Sequence, residues 1–156
     1  MATSQKIASR VYLRGFDHDP GATTAVVCSP DGGTTKRLLD LRDYAGFGVL
    51  ACPTIVGGTG VTKVEIVAYI DGDSTGAGTA YVVKDSGTVA ADAVNDQVWQ
   101  ECTAAEVAQL GTDEGVDLRY VAARLTNGTN TDEVKVVYVG FPPKYETADL
   151  TATVIT

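Results

Sequence analysis

The sequence predicts an all-β protein, an antiparallel β-sandwich that is jelly-roll-like and carries one short helix. Runs rich in β-branched and aromatic residues recur along the 156-residue chain, and these residue types favour strands. Turn-forming Gly, Asp and Asn clusters separate the runs at short intervals, which is typical of a sandwich or a barrel. No alternation of strands and helices indicates a parallel sheet. We expect one domain over 1–156, with 1–5 as a loose N-terminal arm.

The predicted strands depend on alternation and on punctuation. Val64, Ile66 and Ala68 alternate with Lys63 and Glu65, which is the period-two pattern of a strand with one buried face. The sequence PDGG at 30–33 supplies a preset φ followed by residues that tolerate positive φ, so it predicts a tight turn. The predicted strands cover 7–13, 24–28, 36–41, 47–55, 63–70, 79–83, 97–101, 116–125, 134–139 and 150–155.

One helix is predicted near 104–110. The sequence TAAE at 103–106 is a capping box, in which Thr103 and Glu106 satisfy two free N–H groups at the start of a helix. Val107 and Leu110 provide a short apolar stripe, and Gly111 is a natural place for the helix to stop.

Composition and charge exclude several classes of partner. The formal net charge is −8, and the 12 Lys and Arg residues are scattered along the chain. Binding to a phosphate backbone needs clustered basic residues, so we expect no nucleic acid and no anionic membrane surface as partner. No stretch is long and apolar enough to predict a membrane span or a secretory signal. The three cysteines, Cys28, Cys52 and Cys102, lie in apolar contexts and are expected to be reduced, buried thiols.

No catalytic constellation is predicted, and we expect a protein that is not an enzyme. His18 is the only histidine, so any nucleophile-histidine pair would have to use it. The sequence FDHDP at 16–20 favours a solvated loop instead. Convergent carboxylates for hydrolysis are not recognisable among the 20 acidic residues.

Three segments superficially suggest ligand sites. Asp17, His18 and Asp19 offer hard metal ligands, and Asp71 and Asp73 open an acidic loop that lacks the bidentate Glu of a calcium loop. The sequence GGTGVTK at 57–63 lacks the Gly-Lys-Ser/Thr ending of a phosphate loop and precedes a strand. Turns explain all three segments better, so no cofactor is expected. The sequence leaves open whether the Asp71 and Asp73 loop binds a metal ion.

Two late strands are apolar on both faces. In 116–125 one face contains Leu118, Tyr120 and Ala122, and the opposite face is also apolar. The strand 134–139 likewise has apolar residues on both faces. A simple sandwich leaves one face of each strand polar, so either the helix, a long loop or a neighbouring subunit must cover the second face. The candidate subunit-interface residues are Val121, Ala123, Leu125, Val137 and Val139.

The sequences DLRYVAARLT at 117–126 and TDEVKVVY at 131–138 resemble small virion proteins of tailed bacteriophages that decorate or cement the capsid. The resemblance implies a β-sandwich or jelly roll without catalytic residues, often a dimer or trimer. It also implies localisation in the virion after assembly in the host cytoplasm. The implied partners are the major capsid protein or other virion proteins, together with further copies of the chain itself. The long N-terminal arm of some decoration proteins is missing.

Two alternatives stay open. A carbohydrate- or ligand-binding sandwich would present aromatic residues for stacking, and Phe16, Phe47, Tyr44 and Tyr145 are the candidates near loops. A phage tail-tube or head-completion protein would instead form rings.

Overall fold

The computed structural model describes residues 12–20 and 24–141. These residues form two antiparallel sheets packed face to face, as the sequence predicts. The strands are β1 (Tyr12–His18), β2 (Val26–Val27), β3 (Leu39–Asp40), β4 (Gly46–Ile55), β5 (Val61–Ile70), β6 (Tyr81–Asp85), β7 (Val98–Thr103), β8 (Leu118–Asn127) and β9 (Glu133–Phe141). The helix α1 covers Ala104–Glu114, and a 3-10 turn covers Leu41–Asp43. The predicted strand 150–155, most of 7–13 and the arm 1–5 lie outside the described residues.

The strand order is that of a jelly roll. The first sheet, called sheet A, has the order β1-β9-β4-β7, and the second, sheet B, has the order β2-β8-β5-β6 with β3 also paired to β8. Because β2 and β3 both pair with β8 on its side away from β5, they act as one interrupted strand. Eight strands then form two four-stranded sheets in the double Greek-key arrangement, with β5 and β6 as neighbours in sheet B.

The core lies between the sheets and is built from one parity of each strand. Sheet B contributes Val64, Ile66 and Ala68 from β5, and sheet A contributes Phe47 and Val49 from β4, all fully buried. The predicted alternation of 63–70 therefore assigns the core face of β5 correctly. One apolar cluster joins these side chains into a continuous core, which is the burial that stabilises such a sandwich.

The helix is longer than predicted. The capping box is formed, with the Glu106 N–H donating to Thr103 Oγ1 at 3.2 Å and the Thr103 N–H donating to the Glu106 carboxylate at 2.8 Å. The predicted stop at Gly111 is wrong, because Gly111 is helical and lets the Val116 carbonyl approach closely. The chain leaves the helix at Gly115, whose φ is 69°, in a Schellman motif. Val107 is buried in the core, so α1 closes one end of the sandwich.

Candidate interaction surface

His18 is not the solvated loop residue that the sequence predicts. Strand β1 continues through His18, which pairs with Val134 of β9 and is only 1% exposed. Its Nδ1 accepts the Ser29 N–H at 3.2 Å, whereas the Ser29 hydroxyl accepts the Asp31 N–H at 3.3 Å. Burial lowers the pKa of His18, which favours the neutral ring. The histidine therefore ties β1 to the loop after β2 and forms no pair with a nucleophile.

The acidic loop after β5 is occupied by the protein's own donors. Asp71 forms an ion pair with Arg119. The Asp73 carboxylate accepts the Gly78 N–H at 2.7 Å and the Ala77 N–H at 3.0 Å, so it organises the loop that it begins. Within residues 12–20 and 24–141, no group of three or more His, Cys, Asp and Glu side chains is placed to hold a metal ion.

The glycine loop at 57–60 binds a carboxylate of the same chain. The N–H groups of Gly57 and Gly58 donate to Asp132 Oδ1 at 2.7 and 3.3 Å, and the Thr129 N–H donates to Asp132 Oδ2 at 2.9 Å. Burial acts to raise the pKa of Asp132, but these donors lower it below the ordinary value. The loop that resembles a phosphate loop thus joins the β4–β5 connection to the β8–β9 connection through the Asp132 carboxylate.

A groove of about 500 Å³ lies beside α1 and the start of β8 and contains Arg42 and Arg119. Both guanidinium groups are already paired with Asp40, at 2.7 Å in each case. The hydrogen bond from Arg119, together with that from Arg42, holds the pKa of Asp40 well below its usual range. These charges therefore join β3 to β8 and leave no unpaired arginine in the groove for an anionic ligand.

The three cysteines are free thiols, as expected, but only two are buried. Cys28 and Cys102 lie in the core, and Cys52 is partly exposed on the outer face of β4. Burial raises the pKa of Cys102 to about 12 and raises that of Cys28 further. Low-pKa thiolates are needed for nucleophilic chemistry, so neither buried cysteine is suited to it.

The predicted interface residues separate into two groups. Val121, Ala123 and Leu125 of β8 are at most 1% exposed and belong to the core between the sheets. Their assignment to a subunit interface is wrong, because they lie on the inner face of sheet B and point towards sheet A rather than outwards. Val137 and Val139 of β9 lie on the outer face of sheet A and are partly exposed.

Loops of the protein cover the outer face of sheet B. Val27, Val67, Tyr69 and Ala122 form a second buried cluster there, with Leu38 packed against it among others. The Lys36 ammonium group donates to the Gly76 carbonyl, so the segments before β3 and before β6 meet over Tyr69. Of the covers considered from the sequence, long loops rather than the helix or a subunit explain this face.

The outer face of sheet A has no such cover within the described residues. Strand pairing places Gly15, Val137, Leu50 and Trp99 in one row across the four strands. The next row contains Leu13, Val139, Gly48 and Glu101. Neither of the two buried clusters extends over this face. We call these two rows, together with Phe141, the apolar face of sheet A.

Leu13 and Trp99 are the prominent side chains of this face, at its two opposite edges. Leu13 is 67% exposed and Trp99 is 44% exposed. The indole lies over Gly48, whose missing side chain makes room for it, and its ring contacts Phe141 edge to face at 6.4 Å. Its Nε1–H donates to Glu101 at 3.0 Å. Trp99 is therefore a half-exposed surface side chain whose position is fixed by these contacts.

Comparison with models of known protein families and with curated proteins gave no match. In the described part of the chain, no helix has the length and apolarity needed to cross a membrane.

Proposed function

We propose that this protein is a non-enzymatic structural protein of a tailed-bacteriophage virion. In this role it decorates or stabilises the capsid through protein–protein contacts made by the apolar face of sheet A. The observation that carries the proposal is the width of this face, which spans four strands and exposes Leu13 and Trp99. The resemblance of β8 and β9 to virion proteins supports the phage assignment, with the major capsid protein or another virion protein as partner.

Exposed apolar surface of this kind favours association. Monomeric soluble proteins rarely leave large contiguous apolar patches exposed. A tryptophan buries about 150–250 Å², so covering the exposed part of Trp99 contributes roughly 2 kcal/mol at about 25 cal/mol per Å². Covering Leu13 contributes roughly 1–2 kcal/mol more on the same scale. These two side chains are therefore expected to contribute most of the binding free energy. The smaller residues between them are expected to contribute shape complementarity.

The carbohydrate-binding alternative loses most of its candidate residues. Phe47 is fully buried, Phe16 packs edge to face on Tyr138 at 5.1 Å, and Tyr44 packs on Tyr12 at 6.0 Å. Tyr145 lies outside the described residues. Sugar stacking needs exposed rings, so Trp99 is the remaining candidate among the described ones, and it lies on a flat sheet rather than in a cleft.

The test uses capsid shells of the phage that encodes the chain. The purified full-length protein is mixed with shells lacking it, and the bound fraction is measured by co-sedimentation and located by electron microscopy. We expect saturable binding that Leu13→Asp weakens about tenfold or more, since a buried carboxylate would lose its hydration. Val94→Asp is the matched control, because Val94 is 53% exposed but lies in the loop before β7.

Two results would contradict the proposal. Wild-type protein that does not bind the shells removes the decorating role. Equal binding by the Leu13→Asp variant and the wild type removes the apolar face of sheet A as the contact surface.

A further inference from the structure

One end of the core is polar and incompletely hydrogen-bonded. Strand β1 ends at His18 and strand β8 ends at Asn127, and both residues lie beside the connection from β8 to β9, because His18 pairs with Val134. Their exposed fractions are only 1% and 2%. Within the described residues, His18 Nε2 and both polar atoms of the Asn127 amide have no hydrogen-bond partner. Buried polar groups without partners cost free energy, so less free energy is needed to open this end of the sandwich.

The neutral His18 ring joins β1 to the loop after β2. Because Nδ1 accepts the Ser29 N–H at 3.2 Å, the single ring proton lies on Nε2. Beside this contact, the Asp19 N–H donates to the Ser29 carbonyl at 3.0 Å. These two hydrogen bonds hold the end of β1 against Ser29.

A charged His18 ring does not fit this arrangement. The imidazolium carries a hydrogen on both nitrogens, so Nδ1 no longer accepts the Ser29 N–H. The Ser29 carbonyl lies 3.1 Å from Nδ1, but it already accepts the Asp19 N–H and offsets only part of this loss. At Nε2 a positive charge would be buried without a partner, which is costly. The charged ring is therefore favoured only where water or a carboxylate reaches it.

The surface next to His18 offers such carboxylates. A groove of about 410 Å³ beside the ring is lined by acidic side chains and by no lysine or arginine. By element, the charged groups around His18 are Asp17 and Asp19 at the end of β1, Asp31 on the loop after β2, Asp132 on the β8–β9 connection, and Glu133 and Lys135 on β9. Lys135 pairs with Asp17, with Nζ and Oδ1 3.6 Å apart. The net negative charge of this set attracts an imidazolium that leaves the core.

We infer that His18 is a pH-sensitive conformational switch. Protonation of its ring breaks the bond to Ser29, moves the imidazolium out towards the acidic groove, and separates the loop after β2 from β1. The switch concerns an opening of the fold, so it does not depend on the proposed function.

The direction of the switch follows from burial. Burial lowers the pKa of His18 below the ordinary 6.5 and outweighs the Ser29 hydrogen bond and the Asp19 charge, which both raise it. The closed state therefore binds a proton less readily than the open state. Its stabilisation is complete above 6.5 and is lost as the pH falls from 6.5 towards the folded pKa. Within this window, the open population increases about tenfold per pH unit.

The experiment is NMR on the full-length protein between about pH 7.5 and about pH 5. His18 is the only histidine, so its ring resonances report its titration without any substitution. We expect a pKa below 6.5. After correction for the intrinsic pH dependence of exchange, protection of the Ser29 N–H should fall about tenfold per pH unit in the window below that value. The Ala123 N–H, bonded to the Tyr138 hydroxyl at 2.9 Å, is the internal control and should keep its protection.

Two variants identify the group that titrates. His18→Asn keeps a side-chain acceptor for the Ser29 N–H but does not titrate, so the acid-induced loss of Ser29 protection should disappear. Glu133→Gln, at an exposed position of β9, removes one carboxylate of the groove and should retain the acid response.

Three results would overturn the inference. The first is a His18 pKa at or above the ordinary 6.5, and the second is Ser29 protection that stays constant as the pH falls. The third is an equal acid response in His18→Asn and the wild type, because a carboxylate would then be the group that titrates. If His18→Asn does not fold, the titration and exchange of the wild type decide alone.

Discussion

Tyr138→Phe tests a hydrogen bond that joins the two sheets inside the core. Tyr138 belongs to β9 of sheet A, and its hydroxyl accepts the backbone N–H of Ala123, on β8 of sheet B, at 2.9 Å. The Ala123 carbonyl accepts the Cys28 N–H at 2.9 Å. Because the chain between β2 and β3 leaves the sheet, no strand offers a partner to the Ala123 N–H on this side. The tyrosine hydroxyl takes the place of that missing strand.

The cost of the substitution follows from burial. Tyr138 is 1% exposed and packs edge to face on Phe16 and Phe47 at 5.1 and 4.8 Å, contacts that phenylalanine retains. The loss is therefore the hydrogen bond, and a buried donor left without a partner costs about 1–3 kcal/mol. A middle value of about 2 kcal/mol lowers the melting temperature of a chain of this size by about 6 °C.

The assays are thermal and urea unfolding of the full-length protein, together with amide exchange of the Ala123 N–H by NMR. The exchange should accelerate in Tyr138→Phe, because the N–H is no longer bonded. Tyr81→Phe is the matched control, since Tyr81 is only partly buried and its hydroxyl makes no hydrogen bond to a described residue. Stability of Tyr138→Phe within about 0.5 kcal/mol of the wild type, with unchanged exchange, would refute the reasoning.

Three further predictions concern stability and thiol reactivity. Asp132→Asn should cost about 2–3 kcal/mol in urea unfolding, because three backbone N–H donors lose a charged acceptor. Since the folded pKa of Asp132 is lowered, its contribution is complete above the ordinary pKa of 3.8 and is lost as pH falls through the folded value. Gly60→Ala should cost about 2–4 kcal/mol, because φ is 61° and a Cβ would lie 2.0 Å from the Ala91 carbonyl oxygen. An alkylating reagent at mildly alkaline pH should modify Cys52 alone in the native protein, and all three cysteines after unfolding.

Matched measurements make each of these three predictions refutable. Asp113→Asn, at an exposed position on α1, should change the unfolding free energy little. If Asp132→Asn costs no more than Asp113→Asn, the stabilising role of the Asp132 hydrogen bonds is refuted. Gly72→Ala should leave the free energy of unfolding unchanged, since a Cβ there meets nothing within 4 Å. A Gly60→Ala variant as stable as the wild type would refute the strain argument. Rapid modification of more than one native thiol would contradict the burial of Cys28 and Cys102.

The sequence predicts the regular part of this fold well, because local pattern and tertiary structure agree there. The predicted strands 47–55 and 63–70 lie close to β4 and β5, where alternating side chains face one core. The prediction fails where tertiary contacts replace local ones. The predicted strands 24–28 and 36–41 shrink to two residues each, and the hydroxyl of Tyr138, a residue distant in sequence, accepts the Ala123 N–H that a longer strand would have bonded.

The sequence indicates that an apolar sheet face needs a cover, but it does not indicate which sheet exposes that face. The late strands are apolar on both faces, and this pattern correctly indicates that one sheet face needs a cover. It cannot assign the cover, because Val121 and Ala122 lie on opposite faces although both are apolar, and burial at both positions is complete. What distinguishes the two sheets is the loop pair joined by Lys36 and Gly76, a contact between segments that no local pattern connects. Sheet B thus carries its own cover, whereas sheet A leaves Trp99 and Leu13 exposed within the described residues, which is why we propose its outer face as the contact surface.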